Sequence, residues 1–453
     1  MVRREVEATS GRSNSDYCPV NAGGTPVPGF GRYDDDATGS GPSLAADPRA
    51  QERPNSVSAV TLALPLFMPP RLAARPLVTP FLKWPGGKSQ ELPAIAAVAP
   101  PLIGRMIDPF VGGGAILFAA PPDVAAWAND ACPDLIGLYT SAAARDDTVI
   151  AAIAGVARAW EGFSTVPDLY EDLADSFLRD SSTSALASLD RHCAQLRGLT
   201  DHAGPRITGI FELRVEKELL AKLDRMRGVE RKVGRALSHP DLLANIEGSL
   251  RSSFYMSIRS RYNSARLAAV LDAFRLADFF FLREFAYAAM FRFNGRNEFN
   301  VPYGGVTYNR KTLSGKADLL FGDATRARLS NTNFRCQDFE PFLADAHVTA
   351  EDFVFVDPPY DSEFSDYDNR PFASSDQRRL ADILSGVPAK VMVVIKDTPA
   401  IRDLYSSERW HVLEAEKTYM WTIKSRNNRA ATHLTITNYV PEATHRSHSV
   451  AGG

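Results

Sequence analysis

The chain has 453 residues, more than one ordinary domain needs, and its 45% hydrophobic and 23% charged content is that of a globular protein rather than a fibrous one. A formal net charge of −3 excludes binding to a polyanion through overall charge, so any nucleic-acid surface must be a local basic patch. Cys18, Cys132, Cys193 and Cys336 show neither CxxC nor Cys/His spacing, and no apolar run approaches the roughly 18 residues of a membrane span. Zinc, a disulfide framework and a membrane are therefore not expected, and a reducing cytoplasm is.

Residues 1–78 are rich in Gly, Ser, Asp, Ala and Pro and read as a disordered leader, with Met68 as an alternative start of translation. Residues 79–140 open an α/β domain. Here "GRMIDPF" and "VAAWAND" are short apolar runs that end on turn or acidic residues, the pattern of buried parallel strands. Between them, "DPFVGGGAILF" (108–118) reads as a strand end, three glycines and a helix start, where backbone N–H groups can approach a ligand. It is neither GxGxxG nor a P-loop, and structural glycine turns are common. Asp130 ends the next strand, where an acid either accepts from ribose hydroxyls or caps a helix. Together the two features point to an adenosine-containing cofactor.

Residues 141–325 differ. Helical spacing dominates, as in "RITGIFELRVEKELLAKLDRMRGVERKVGRAL", and the region reads as a helical insertion within one sheet. Its Arg214, Lys217, Arg225, Arg227, Arg231 and Lys232 either face phosphates or form a solvated face with Glu216, Glu218 and Glu230. Residues 326–440 resume the sheet with "NFRCQDF", "FVFVDPPY" and "AKVMVVIKD". "ATHLTITNYV" alternates with a two-residue period and reads as a final antiparallel strand, and 441–453 as a flexible tail.

The run "FVFVDPPY" stops at Asp357 because Pro358 and Pro359 lack the N–H that a ladder needs. An acid, a rigid carbonyl and an aromatic ring suit one task. The exocyclic amino group of a nucleobase is a poor nucleophile, because its lone pair is delocalised into the ring. Acceptors at Asp357 and the Pro358 carbonyl favour a more pyramidal nitrogen, while Tyr360 offers a face for stacking. The base must leave its duplex for such chemistry.

With these motifs in order, the chain resembles the Dam-like, D12-class N6-adenine-specific DNA methyltransferases. "FLKWPGGK" (81–88) resembles the family's N-terminal cofactor motif, with Pro85 where Ala is usual. "DPFVGGGAILF" resembles its cofactor loop, "DPPY" its catalytic motif, and "RFNGRNEFNVPYG" (292–304) its recognition loop, with Asn297 for the usual Gly. "FYMSIRSRYN" and "SRNNRAATHLTITNY" resemble two further family segments.

The resemblance implies a Rossmann-like class I fold with an inserted recognition region, S-adenosylmethionine as cofactor, and double-stranded DNA as partner. It implies cofactor contacts from Trp84, Lys88, Asp108, Phe110, Gly112, Gly114, Asp130, Asp338, Phe339 and Asp357. Asp357, Pro358, Pro359 and Tyr360 are the implied catalytic group, acting by direct in-line transfer. In the recognition loop, Arg292, Asn294, Arg296 and Asn300 are expected at bases or backbone, and Arg310 and Lys311 at phosphates. An ordinary ion pair between Arg296 and Glu298 is the competing expectation. Methylation of cytosine N4 or of RNA, and a non-catalytic DNA-binding role, stand as alternatives, and a cognate restriction endonuclease as an open partner.

Overall fold

The structure, a computed structural model, describes residues 71–359, 372–418 and 430–441. Strands β1 (Arg105–Asp108), β2 (Ala125–Asn129), β3 (Thr332–Arg335), β4 (Asp352–Val356), β5 (Lys390–Lys396), β6 (His411–Thr418) and β7 (Ala430–Thr437) form one sheet in the order β3-β2-β1-β4-β5-β7-β6. β1 to β5 run parallel, and β7 runs antiparallel between β5 and β6. This is the α/β class read from the sequence. The apolar runs all appear as strands, and the alternating C-terminal run is the antiparallel β7. β6 was not expected: its sequence, "HVLEAEKT", is mixed because it pairs on one side only, at the sheet edge.

Among the described residues fourteen helices accompany the sheet. α1 (Leu92–Val98) precedes β1. Between β2 and β3 lie α2 (Pro133–Ala144), α3 (Asp147–Gly162), α4 (Pro167–Leu178), α5 (Ser182–Arg191), α6 (Cys193–Asp201), α7 (Ile207–Val233), α8 (His239–Leu267), α9 (Ala273–Phe285), α10 (Ser314–Phe321) and α11 (Asp323–Ser330). α12 (Phe339–Asp345), α13 (Ser374–Gly386) and α14 (Pro399–Leu404) follow β3, β4 and β5.

Successive strand residues face opposite sides, so the sheet separates two cores. Met106, Phe353, Phe355, Met392 and Val394 join the core built with α2, α3, α8 and α9. Ile107, Val354, Val356, Val391, Val393 and Ile395 pack with α12, α13 and α14. β4 is buried along its whole length, which is why it reads as an unbroken apolar run. The insertion's core residues lie on one face of the sheet.

The fold begins before residue 79, where the composition shift places its start. Leu72 and Val78 are buried, and the Ala73 and Leu77 N–H groups donate to Ala119 and Phe118 carbonyls at 3.0 and 2.8 Å. Pro70, Pro76 and Pro80 interrupt this stretch, so its apolar residues show no period. The leader up to residue 70 and the tail from 442 lie outside the described residues. Along α7, Arg214 pairs with Glu218 and Arg227 with Asp180, the pattern of a solvated face. No single helix among the described residues is long and apolar enough to cross a membrane. The bent pair 147–165 and 167–178 passes by length and composition, but carries the core residues Trp160, Leu169 and Phe177.

Candidate active site and recognition hairpin

Because β1, β2 and β4 are parallel neighbours, their C-terminal ends share one edge of the sheet. Each end carries an acid: Asp108 as the last residue of β1, Asp130 just past β2, and Asp357 just past β4. The glycine turn after β1 folds over this edge. Gly112 and Gly114 have φ of +47° and +73°, a region that glycine enters freely and other residues rarely. A Cβ on Gly112 would lie 2.8 Å from Trp84 Cδ1, and one on Gly113 2.8 Å from Trp84 Cβ. The glycines therefore let the 81–88 loop close onto the turn, placing Trp84 beside it.

Asp130 is half-buried and holds the turn. Its Oδ2 accepts from the Gly112 N–H at 3.1 Å, and its Oδ1 from the Cys132 N–H at 2.9 Å. The N-cap of α2 is Cys132 rather than Asp130, so the acid serves the glycine turn as well as the helix entrance. The Tyr139 hydroxyl donates to the Gly112 carbonyl at 2.8 Å from beneath. Asp108 is buried and accepts from the Phe110 N–H at 3.1 Å. Burial, with the Asp357 and Asp130 charges nearby, pushes its carboxyl well above the usual carboxylate range.

Lys88 crosses the site to Asp357. Its Nζ lies 2.6 Å from Asp357 Oδ1 and also donates to the Gly86 carbonyl at 3.2 Å. Its side chain is only 2% exposed, against 21% for Asp357. A lysine at a loop-to-helix junction is ordinarily solvated, and this one is an internal counter-ion. Pro358 is buried and Pro359 half-buried, while Tyr360 lies outside the described residues.

On the far side of β1, Phe110, Phe339 and Phe372 pack with ring centroids 5.6–5.8 Å apart and form an apolar wall. Asp338 is the N-cap of α12, accepting from the Glu340 N–H at 3.0 Å. Arg379 binds both its oxygens, at 3.0 and 2.9 Å, and lies 4.3 Å over the Phe339 ring.

Sequence reasoning missed two residues here. Asn129 is buried and ties three segments together. Its Nδ2 donates to Pro109 and Gln337 carbonyls at 3.1 and 2.9 Å, and its Oδ1 accepts from the Gln337 N–H at 3.1 Å. Its place beside Asp130 was the only available signal. Gln377, on α13, donates to the Pro359 carbonyl at 3.0 Å, and nothing local in the sequence marks it.

Residues 286–311 form a hairpin that lies along α8. Phe293 bridges Phe299 and Ala286 bridges Tyr303. Asn263 grips the Phe299 backbone at both its N–H and carbonyl, at 2.8 and 3.0 Å. Tyr255 and Arg259 donate to the Val301 carbonyl, at 3.0 and 3.2 Å. Asn297 takes φ of +61°, as its left-handed tolerance allows, and its Oδ1 accepts from Arg266 at 2.9 Å. Arg266 also lies 3.9 Å over the Phe293 ring.

At the tip, Asn294 Oδ1 accepts from the Arg296 and Glu298 N–H groups, both at 3.0 Å, and its Nδ2 donates to Glu298 Oε2 at 2.9 Å. Glu298 is thus engaged by Asn294. Among the described residues the exposed Arg292, Arg296 and Arg310 form no ion pair, so the expected Arg296–Glu298 alternative is not realised. Asn300 is half-buried, its Oδ1 enclosed without a partner among the described residues. Lys311 belongs to a cluster with Lys83 and Lys316 around Glu284, at 3.6, 2.7 and 3.6 Å. Burial, together with the Lys83 charge, pushes the Lys311 ammonium down to about 8. Among the described residues no group of three or more His, Cys, Asp or Glu could hold a metal ion.

The strand order, the glycine turn and the acid ending each of three adjacent strands define a methyltransferase of the class I architecture. Comparison with known proteins narrows this. The family model for D12 class N6 adenine-specific DNA methyltransferases matches residues 84–183 and 231–419, more than half of the chain. The chain belongs to this family, whose members methylate adenine in DNA. It is 24% identical over 370 residues to the type II methyltransferase M1.LlaDCHI of Lactococcus lactis subsp. cremoris, covering 80% of this chain and 95% of the relative. It is 27% identical over 318 residues to the type II methyltransferase M.MjaIII of Methanocaldococcus jannaschii, covering 67% and 78%. With the DNA adenine methylase of Escherichia coli K12 it shares 29% over 174 residues, 36% of this chain and 57% of the relative.

Proposed function

We propose that this adenine methyltransferase uses S-adenosylmethionine, acts on a flipped-out adenine at Asp357, and reads its site with the 292–311 hairpin. The donor set of the cradle supports this cofactor. Asp108, Asp130 and Asp357 converge on one edge, and the adjoining ammonium, Lys88, is committed to Asp357. With Asp108 held toward its neutral form and Lys88 committed to Asp357, Asp130 is left as the acid of this edge, a setting ill-suited to the phosphates of a dinucleotide and suited to a sulfonium cation carrying a ribose diol. The Phe110–Phe339–Phe372 wall suits an adenine ring. When bound, S-adenosylmethionine supplies an electrophilic methyl group.

The single observation that carries the reading is the Lys88–Asp357 pair. The ammonium orients the carboxylate in a partly desolvated site, where it can accept from an amino group. Asp357 and the Pro358 carbonyl hold the two N–H bonds of the adenine amino group and direct its lone pair outward. On transfer the nitrogen would gain the methyl carbon as the donor's sulfur–carbon bond breaks to leave a neutral thioether, and would shed one proton to Asp357 or solvent, with no covalent bond to the protein. Lys88 steadies the carboxylate, and Asp130 keeps the glycine turn in place.

Arg296, held at the hairpin tip by Asn294, is the base reader, while Arg310 and the Lys83–Lys311–Lys316 cluster engage phosphates. The two type II relatives favour a restriction–modification setting with a cognate endonuclease, and the enzyme would work in the cytoplasm, where its DNA lies. The test is methyl transfer from labelled S-adenosylmethionine to duplex DNA, followed by separation of nucleosides. Label in N6-methyl-2′-deoxyadenosine is expected. Label in cytosine, or in RNA alone, would overturn the proposal.

A further inference from the structure

We propose that Gln377 is a positioning residue that sets the catalytic turn by holding the Pro359 carbonyl; this rests on the reading of Asp357 given above. The turn has an unusual mechanical problem. Pro358 and Pro359 have no N–H groups, so the backbone cannot secure itself there by donating hydrogen bonds. Only carbonyls remain to be gripped, and a carbonyl needs a donor from elsewhere.

Gln377 supplies it. The residue lies in the first turn of α13, is 3% exposed, and its Nε2 donates to Pro359 O at 3.0 Å. The orientation of the amide is chemically fixed, since a carbonyl can only accept. α13 is itself anchored at this end: Asp376 Oδ2 accepts from the Ala373 N–H at 2.9 Å, and Asp376 Oδ1 binds Arg379 at 3.0 Å. The donor therefore sits on a rigid element. Holding the Pro359 carbonyl fixes that peptide plane, and with both prolines locked in φ it constrains the Pro358 carbonyl and Asp357 upstream.

The rest of the side chain points to function rather than stability. Gln377 Oε1 is buried and has no hydrogen-bond partner among the described residues. A buried acceptor without a donor bears its desolvation cost uncompensated, and a methionine of similar length would avoid it. The fold retains an amide because the turn uses its N–H.

Three enzymes decide the matter: wild type, Q377M and Q377E, each assayed for kcat, cofactor Kd and melting temperature from pH 5.5 to 8.5. Q377M should melt no lower than wild type and bind cofactor within about threefold. Its kcat should fall about tenfold to a hundredfold, the scale of a slightly misplaced reacting group. Q377E is the discriminating variant. Its carboxylate repels the Pro359 carbonyl at high pH, whereas its protonated form can donate. The ratio of its kcat to wild type should therefore climb as pH falls, while the Q377M ratio stays flat. Undiminished kcat in Q377M, or no acid recovery in Q377E, would overturn the assignment with the active-site reading intact. A wild-type enzyme that transfers no methyl group to adenine would overturn both.

Discussion

Replacing Asp130 separates a cofactor ligand from a purely structural acid. The carboxylate holds two backbone donors, Gly112 N–H at 3.1 Å and Cys132 N–H at 2.9 Å. Hydrogen bonds to a charged group contribute about 1.5–3 kcal/mol each, but water can replace part of this at a half-buried position. Asp130→Ala should therefore destabilise the fold by about 1.5–3 kcal/mol in total, read from the denaturant midpoint. Cofactor affinity should fall further than the loosened turn explains, about tenfold to a hundredfold, since each factor of ten is about 1.4 kcal/mol. Asp130→Asn is the control. Its amide oxygen can accept one of the two N–H groups, while its NH2 faces the other, so its effects should lie between wild type and alanine. Calorimetry with S-adenosylmethionine measures affinity on enzyme shown to be folded at the working temperature. If affinity is unchanged while stability drops, Asp130 is scaffolding only.

Three other outcomes are expected. Asp357→Asn, which keeps an acceptor oxygen and spares much of the strain of stranding the buried Lys88, should still lose about 10²-fold in kcat at saturating cofactor; near-normal turnover would refute its role. Gly114→Ala should destabilise by about 2–5 kcal/mol, combining left-handed strain of about 1–2 with overpacking of about 1–3, because its Cβ would stand 2.8 Å from the Phe118 ring and 3.0 Å from the Tyr139 hydroxyl. Gly86→Ala, also at φ +73° but with nothing within 4 Å, should show the strain alone, so equal losses at both sites would contradict the packing account. Lys311 loses its charge as pH rises through about 8; DNA affinity should decline above that pH with a salt slope smaller by about one, and Lys311→Arg should abolish the decline. The folded pKa lies below the unfolded value of roughly 10.4, so the unfolded chain binds more protons between the two, and the Lys311 contribution to stability rises with pH across that window.

What could be read from the sequence was what is local in the chain. The end of β1, its glycine turn and the acid ending β2 lie within about twenty residues, each under its own short-range rule, whereas the helix start expected after the glycines is only a 3-10 turn, Leu117–Ala119. The DPPY turn announced itself through the stereochemistry of proline. By contrast, Lys88 and Asp357 are separated by 269 positions, and no periodicity links them; only the likeness to a family placed both in one site. Gln377 and Asn129 were invisible for another reason. Their partners are backbone carbonyls and an N–H, which every residue carries, so no complementary residue type betrays the contact. Asp338 caps α12 and binds Arg379, local contacts that the short motif around it did not announce. At the hairpin tip, the charge pattern offered Arg296 and Glu298 as a pair, but turn geometry gave Glu298 to Asn294.

The loop at 81–88 shows how one segment can serve both halves of the site. Lys88 reaches Asp357 at one end, and Trp84 lies against the glycine turn. At the other end, Arg283 donates to the Lys83 carbonyl, Lys83 Nζ binds Glu284 at 2.7 Å, and Lys316 donates to the Phe81 carbonyl at 3.3 Å. Arg283 and Glu284 stand in the last turn of α9, whose next residues begin the hairpin. A helical insertion between β2 and β3 could pack on the sheet in many ways, yet its hairpin end is tied by these contacts to the loop that holds Asp357. On the function proposed above, register between the hairpin and the target nitrogen would be set by a few polar contacts on one short loop. The intervening helices need only hold α9 in place, so their length can vary without moving the chemistry.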